Sequence, residues 1–138
     1  MKKIYSKIEP AKLICNFLKF SEITNKRCDI SPEEEFIQVS GRILEKDFIV
    51  PAHKHNFQKR ETNLTQETWI VIKGKLKAKF FDLDDKFLDE IIMNDGDCIA
   101  IFRGGHQLEV LDENTYFYEV KNGPYNGIQK DKKNLKKL

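Results

Sequence analysis

The sequence predicts an all-β protein, a sandwich or barrel, and three observations carry that expectation. Seven or eight short apolar segments follow one another from about residue 36, at regular spacing and each bounded by a turn. One of them, Trp69-Ile70-Val71-Ile72, is built from β-branched and aromatic residues and runs into the tight turn Lys73-Gly74. In the next, Leu76, Ala78 and Phe80 alternate with Lys75, Lys77 and Lys79, the period of a strand with one buried and one solvated face.

Composition bounds the rest. A chain of 138 residues fits one domain, and 40% hydrophobic with 33% charged residues suits a soluble globular fold. The net charge of +2 points to no particular partner. Basic residues gather at the end, in Lys130, Lys132, Lys133, Lys136 and Lys137, which read as a solvated terminus and not as a nucleic-acid site. The apolar run from Leu13 to Leu18 is interrupted by Asn16 and closed by Lys19. It is too short for a signal peptide or a span, so a cytoplasmic protein without membrane contact is expected. Cys15, Cys28 and Cys98 form no CxxC pair and read as reduced thiols.

Taken in order, Pro10 followed by Leu13, Ile14, Phe17 and Leu18 predicts a short helix packed on the body, within an N-terminal helical extension over residues 1–34. Ser31-Pro32-Glu33-Glu34 allows one helical turn. The barrel is expected over 35–122, beginning with the alternating stretch from Phe36 to Ile43. Phe48-Ile49-Val50 leads into a histidine pair, and 56–66 is polar enough for a loop. Asp82 to Lys86 reads as a hairpin turn before a strand around Leu88 to Met93. Asn94-Asp95-Gly96-Asp97 is a turn before the strand from Cys98 to Phe102. Strands at 108–111 and 116–120 flank the turn Asp112-Glu113-Asn114, and Gly123-Pro124-Tyr125 starts a tail over 123–138.

The chemistry lies in two places, because the chain's three histidines are His53, His55 and His106. His53 and His55 are two apart, so on a strand both imidazoles share a face. Glu67 falls on the same face of its strand as Trp69 and Val71, and a carboxylate directed inward needs a cation or several donors. Gly104-Gly105 lets the backbone turn and bring His106 inward. Three imidazoles and a carboxylate suit a divalent first-row metal with open positions for water or substrate.

These residues resemble the cupins, small double-stranded β-helix (jelly-roll) barrels with a metal site in the mouth. The first cupin motif is matched by His53, His55, Glu67 and Gly74, with six residues between the last two, and the second by Gly96 through His106. The likeness spans about residues 40 to 122. Asp47 stands where the family's first glycine is usual, Phe102 replaces its proline, and the segment before His106 is one residue short. The loop between His55 and Glu67 is long, which makes Glu61 a rival ligand. The TQETW strand, FRGGH and the closing KNGPYNG look like a subgroup of stand-alone bacterial cupins.

The resemblance implies a ligand set of His53, His55, Glu67 and His106 for Fe, Mn, Zn or Ni, a small-molecule ligand and a homodimer. Carbohydrate or nucleotide-sugar chemistry follows by analogy with related cupins. Around the site, Trp69, Gln38 and Gln66 are pocket candidates. Arg103 is a candidate partner for an anionic substrate, and Tyr116 and Tyr118 are candidate phenolic donors or acids. Three functions remain open: a metal-dependent isomerase, lyase or dioxygenase; a noncatalytic binding or sensing module; and a metal-independent sugar epimerase using a histidine base and a tyrosine acid. Ile70, Ile72, Ile99 and Ile101 are expected on an outer face, covered by a second copy or by the N-terminal helix.

Overall fold

The computed structural model describes residues 1–135, so Lys136 and Lys137 of the basic tail lie outside the described residues. The strands in chain order are β1 (Lys2–Tyr5), β2 (Leu13–Leu18), β3 (Cys28–Asp29), β4 (Ser40–Gly41), β5 (Glu67–Lys73), β6 (Leu76–Phe81), β7 (Phe87–Met93), β8 (Cys98–Ile101), β9 (Gly105–Val110) and β10 (Tyr116–Lys121). A single helical turn, α1 (Ile128–Asp131), follows. The described residues form three antiparallel sheets, ordered β1-β2-β8-β5-β10, β7-β6-β9 and β3-β4. The fold class is therefore all-β, as the strand periodicity requires.

The two larger sheets enclose one core. Trp69 and Val71 from β5, Ile99 and Ile101 from β8 and Phe17 from β2 meet Leu76, Ala78 and Phe80 from β6 and Ile91 and Met93 from β7. In β6 burial alternates residue by residue, leaving Lys77 and Lys79 half-buried between fully covered neighbours. The β6–β7 hairpin closes through Asp82, whose amide donates to the Lys86 carbonyl at 2.8 Å. Its carboxylate accepts from the Lys7 amide at 2.7 Å, which ties the hairpin to the N-terminal loop.

The expected N-terminal helix is a strand. Every residue of β2 is buried, because one face packs into the core and the other under a second cluster of Leu13, Leu18, Ile30, Cys98, Ala100 and Phe102. A short run buried on both sides loses its alternation, so spacing alone does not distinguish it from a helix; six residues suits a strand. Asn16 is accommodated there by donating to the Ile30 carbonyl at 2.6 Å. Residues 1–34 are thus part of the main sheet and not a helical extension.

The outer-face expectation is corrected for the same reason. Ile99 and Ile101 pair with Trp69 and Glu67 across β8 and β5 and point into the core. Ile70 lies under the irregular segment that carries Ile23, Ile37 and Val39, and only Ile72 is exposed. Of the strand expected over Phe36–Ile43, just Ser40–Gly41 is paired, with Cys28–Asp29. Phe48-Ile49-Val50 is in no strand, and every residue from 42 to 65 is exposed. No helix among the described residues is long and apolar enough to cross a membrane.

Candidate functional site

β5 and β9 bring Glu67 and His106 together. Glu67 opens β5 with its side chain directed inward beside Trp69, and it is 3% exposed. His106 pairs with Phe80 across β9 and β6, which turns its ring into the space between the sheets. Gly104, at φ +79, makes the turn into β9; a Cβ there would lie 2.7 Å from the Phe81 carbonyl oxygen. The result places Glu67 Oε2 3.2 Å from His106 Nε2. The Trp69 ring meets the imidazole edge-on, with centroids 5.4 Å apart.

The electrostatics of this pair are unusual for a protein interior. His106 beside it is the leading influence holding the Glu67 carboxyl below the ordinary range; burial opposes this, and Lys132 and Lys121 assist. Glu67 Oε2, Trp69 Nε1 and His106 Nδ1 are all buried without a hydrogen-bond partner. Buried polar atoms are overwhelmingly satisfied in folded proteins, so three neighbouring exceptions mark a place prepared for another group. They border a cleft of about 1240 Å³ between the sheets, whose walls include Leu108 and Phe117 and whose rim carries Glu119. The tail from Asp131 to Leu135 crosses this mouth, anchored by the Lys121–Asp131 ion pair at 2.8 Å.

The other expected ligands stand apart. His53 and His55 lie on the exposed segment 42–65; their rings are 5.5 Å apart, and His53 Nδ1 lies 2.8 Å from the Pro51 carbonyl. Among the described residues no group of three histidines, cysteines or carboxylates converges as a metal would require. Glu61 sits on the same exposed segment, paired with Lys59 at 2.8 Å, while Glu67 occupies the cleft.

Several candidates prove to be structural. Arg103 donates to the Leu13 carbonyl and pairs with Glu35 at 2.6 Å, so it faces the N-terminal segment and not the cleft. Gln66 completes that cluster, donating to Glu35 at 2.6 Å and accepting from the Ile37 amide at 2.7 Å. Gln38 donates to the carbonyls of Glu35 and Pro32 at 2.6 and 2.9 Å, folding the 32–38 turn on itself. Tyr116 and Tyr118 are exposed. Tyr118 pairs with Ile70, on the face of β5 opposite the cleft, and both tyrosines border a separate depression with Ile72.

Inward-facing Phe117 and Glu119 of β10 and Leu108 of β9 were not anticipated. The alternation along 116–120 was the available signal: choosing Tyr116 and Tyr118 as the inner face reversed the register, and a one-residue shift moves every side chain to the other side. Comparison with known proteins finds no matching family model, curated protein or solved structure.

Proposed function

We propose that this chain is a metal-binding cupin in which Glu67 and His106 form one half of the metal shell and His53 and His55 the other. The observation that carries this reading is the buried carboxylate–imidazole pair at 3.2 Å in a cleft mouth, with polar atoms left unpartnered around it. A divalent cation satisfies a buried carboxylate and a neutral imidazole at once, and three histidines with one carboxylate suit Fe, Mn, Zn or Ni. When bound, such an ion supplies Lewis acidity toward an oxygen of a small polar ligand or, as iron, reactivity with dioxygen.

The double-stranded β-helix is part of the same proposal. It is supported by two facing antiparallel sheets around one core. An isomerase, lyase or dioxygenase acting on a small polar molecule, carbohydrate or nucleotide-sugar in class, fits a cleft of this size with both polar and aromatic walls. A noncatalytic binding module requires the same shell. The epimerase alternative has less support, since Tyr116 and Tyr118 stand on the far face of β5 and β10 from His106.

Elemental analysis after reconstitution with Fe(II), Mn(II), Zn(II) and Ni(II) tests the reading. One ion per chain in the native protein is expected, with loss in Glu67→Ala and in His53→Ala. A native protein that takes up none of the four ions overturns it.

A further inference from the structure

Two features of the fold belong together. β9 and β10 each have a neighbour on one side only, β6 and β5, so both sheets end in an open edge at the cleft. Leu108 and Phe117 on these edges face the core yet remain only partly buried. Against this stands a segment of 24 residues, 42–65, every one exposed, although it contains Ile43, Leu44, Phe48, Ile49, Val50, Phe57 and Leu64. Phe57 is 100% exposed and Ile49 80%. A segment so apolar and so long is not explained as a solvated loop.

The segment is anchored at both ends. Ser40–Gly41 pairs with Cys28–Asp29, and the Gln66 amide donates to Asn122 Oδ1 at 2.7 Å. It is therefore a doubled arm, leaving the body and returning, and each half spans up to about 40 Å when extended. In extended form its odd positions Ile49, Pro51, His53, His55 and Phe57 line one face, so both imidazoles point the same way between apolar residues. Pro51 has no amide to donate, which suits a strand added at an edge.

Resting on the metal reading above, we infer that this arm is exchanged between two copies of the chain. The arm of one copy lies along the open β9 edge of the other and delivers His53 and His55 to that copy's Glu67–His106 pair, so that each metal site is built by two chains. The arm stands clear of its own body while its own cleft is open, which is the geometry of an element whose contacts are made elsewhere. Exchange of an identical element between protomers creates a dimer from contacts the fold already needs. It buries the arm's apolar face, covers Leu108 and Phe117, and pairs an edge that is otherwise a template for aggregation.

Complementation tests the exchange. One chain carries His53→Ala and His55→Ala, the other Glu67→Gln and His106→Gln, and each alone is expected to bind no Co(II). Unfolded together and refolded as an equal mixture, half of the dimers are mixed and each mixed dimer regains one of two sites. The mixture is then expected to hold about a quarter of the wild-type cobalt. Light scattering should give wild type about twice the 16.2 kDa chain mass, and the monomer mass when residues 44–63 are replaced by a short Gly/Ser linker. Wild type that binds Co(II) with no recovery in the mixture places the arm on its own chain; this overturns the exchange and leaves the metal reading standing. A wild-type monomer also overturns the exchange. Wild type that binds no Co(II) overturns the metal reading and the shared site with it.

Discussion

At the scale of single residues, the fold treats its polar groups in two ways. Arg103, Glu35 and Gln66 form a closed network in which each charge has a partner, and its product is the attachment of the N-terminal segment to the main sheet. Arg103→Ala leaves the Glu35 carboxylate largely buried and unpaired, so a loss of about 2–4 kcal/mol is expected in urea unfolding, with metal uptake unchanged. Loss of metal at full stability would return Arg103 to the site. Cys98 shows the cost of burial without a partner: burial, with Asp97 adding to it, pushes its thiol from 9.0 up to about 12. The folded thiol keeps its proton where the unfolded one releases it, so stability is fully present below about pH 9 and falls as pH rises toward 12. The expected slope is up to about 1.4 kcal/mol per pH unit for each such group. Urea midpoints across this range should fall in the native chain and fall less in Cys98→Ala; parallel slopes would contradict the assignment.

At the scale of elements, two motif glycines show what a motif is for. Gly74 has φ +96 in the turn joining β5 to β6, and a Cβ there would lie 2.9 Å from the Thr115 Cα. Its amide donates to Asp95 at 2.7 Å, joining two turns. Gly96 has φ +78, and its missing side chain leaves room for the Phe20 ring. Gly74→Ala combines backbone strain with a backbone clash and is expected to cost about 1–3 kcal/mol, read from thermal or urea unfolding. An unchanged midpoint would show that the turn accommodates a side chain. The strands from 67 to 121 were legible because each has one wet face or one recognisable turn. β2 was not, because burial on both faces erases the alternation that distinguishes a strand from a helix.

At the scale of the molecule, the apolar arm and the open sheet edges define how the chain meets its surroundings. The arm carries Lys46, Lys54, Lys59 and Arg60, all exposed in the single chain. Trypsin is therefore expected to cut within 42–65 first, and faster as protein concentration is lowered, because dilution separates exchanged arms. Cleavage independent of concentration would indicate an arm that is free or folded on its own chain. Limited proteolysis followed by mass spectrometry distinguishes these cases without reference to metal.

The sequence by itself determined the all-β class, the strands from Glu67 onward, and the inward aim of Glu67, because alternation and turn chemistry are local properties carried by neighbouring residues. It also marked Gly74 and Gly96 as special positions. Only the tertiary structure decided that residues 13–18 are a central strand, that Arg103 and Gln66 hold the N-terminal segment, and that Phe117 and not its tyrosine neighbours faces the cleft. Each of these depends on what lies across the sheet, and a pairing partner dozens of residues away leaves no trace in local spacing. The same holds for His53 and His55: their spacing shows that they act together, and the open edges of β9 and β10 show where an arm that bears them can dock.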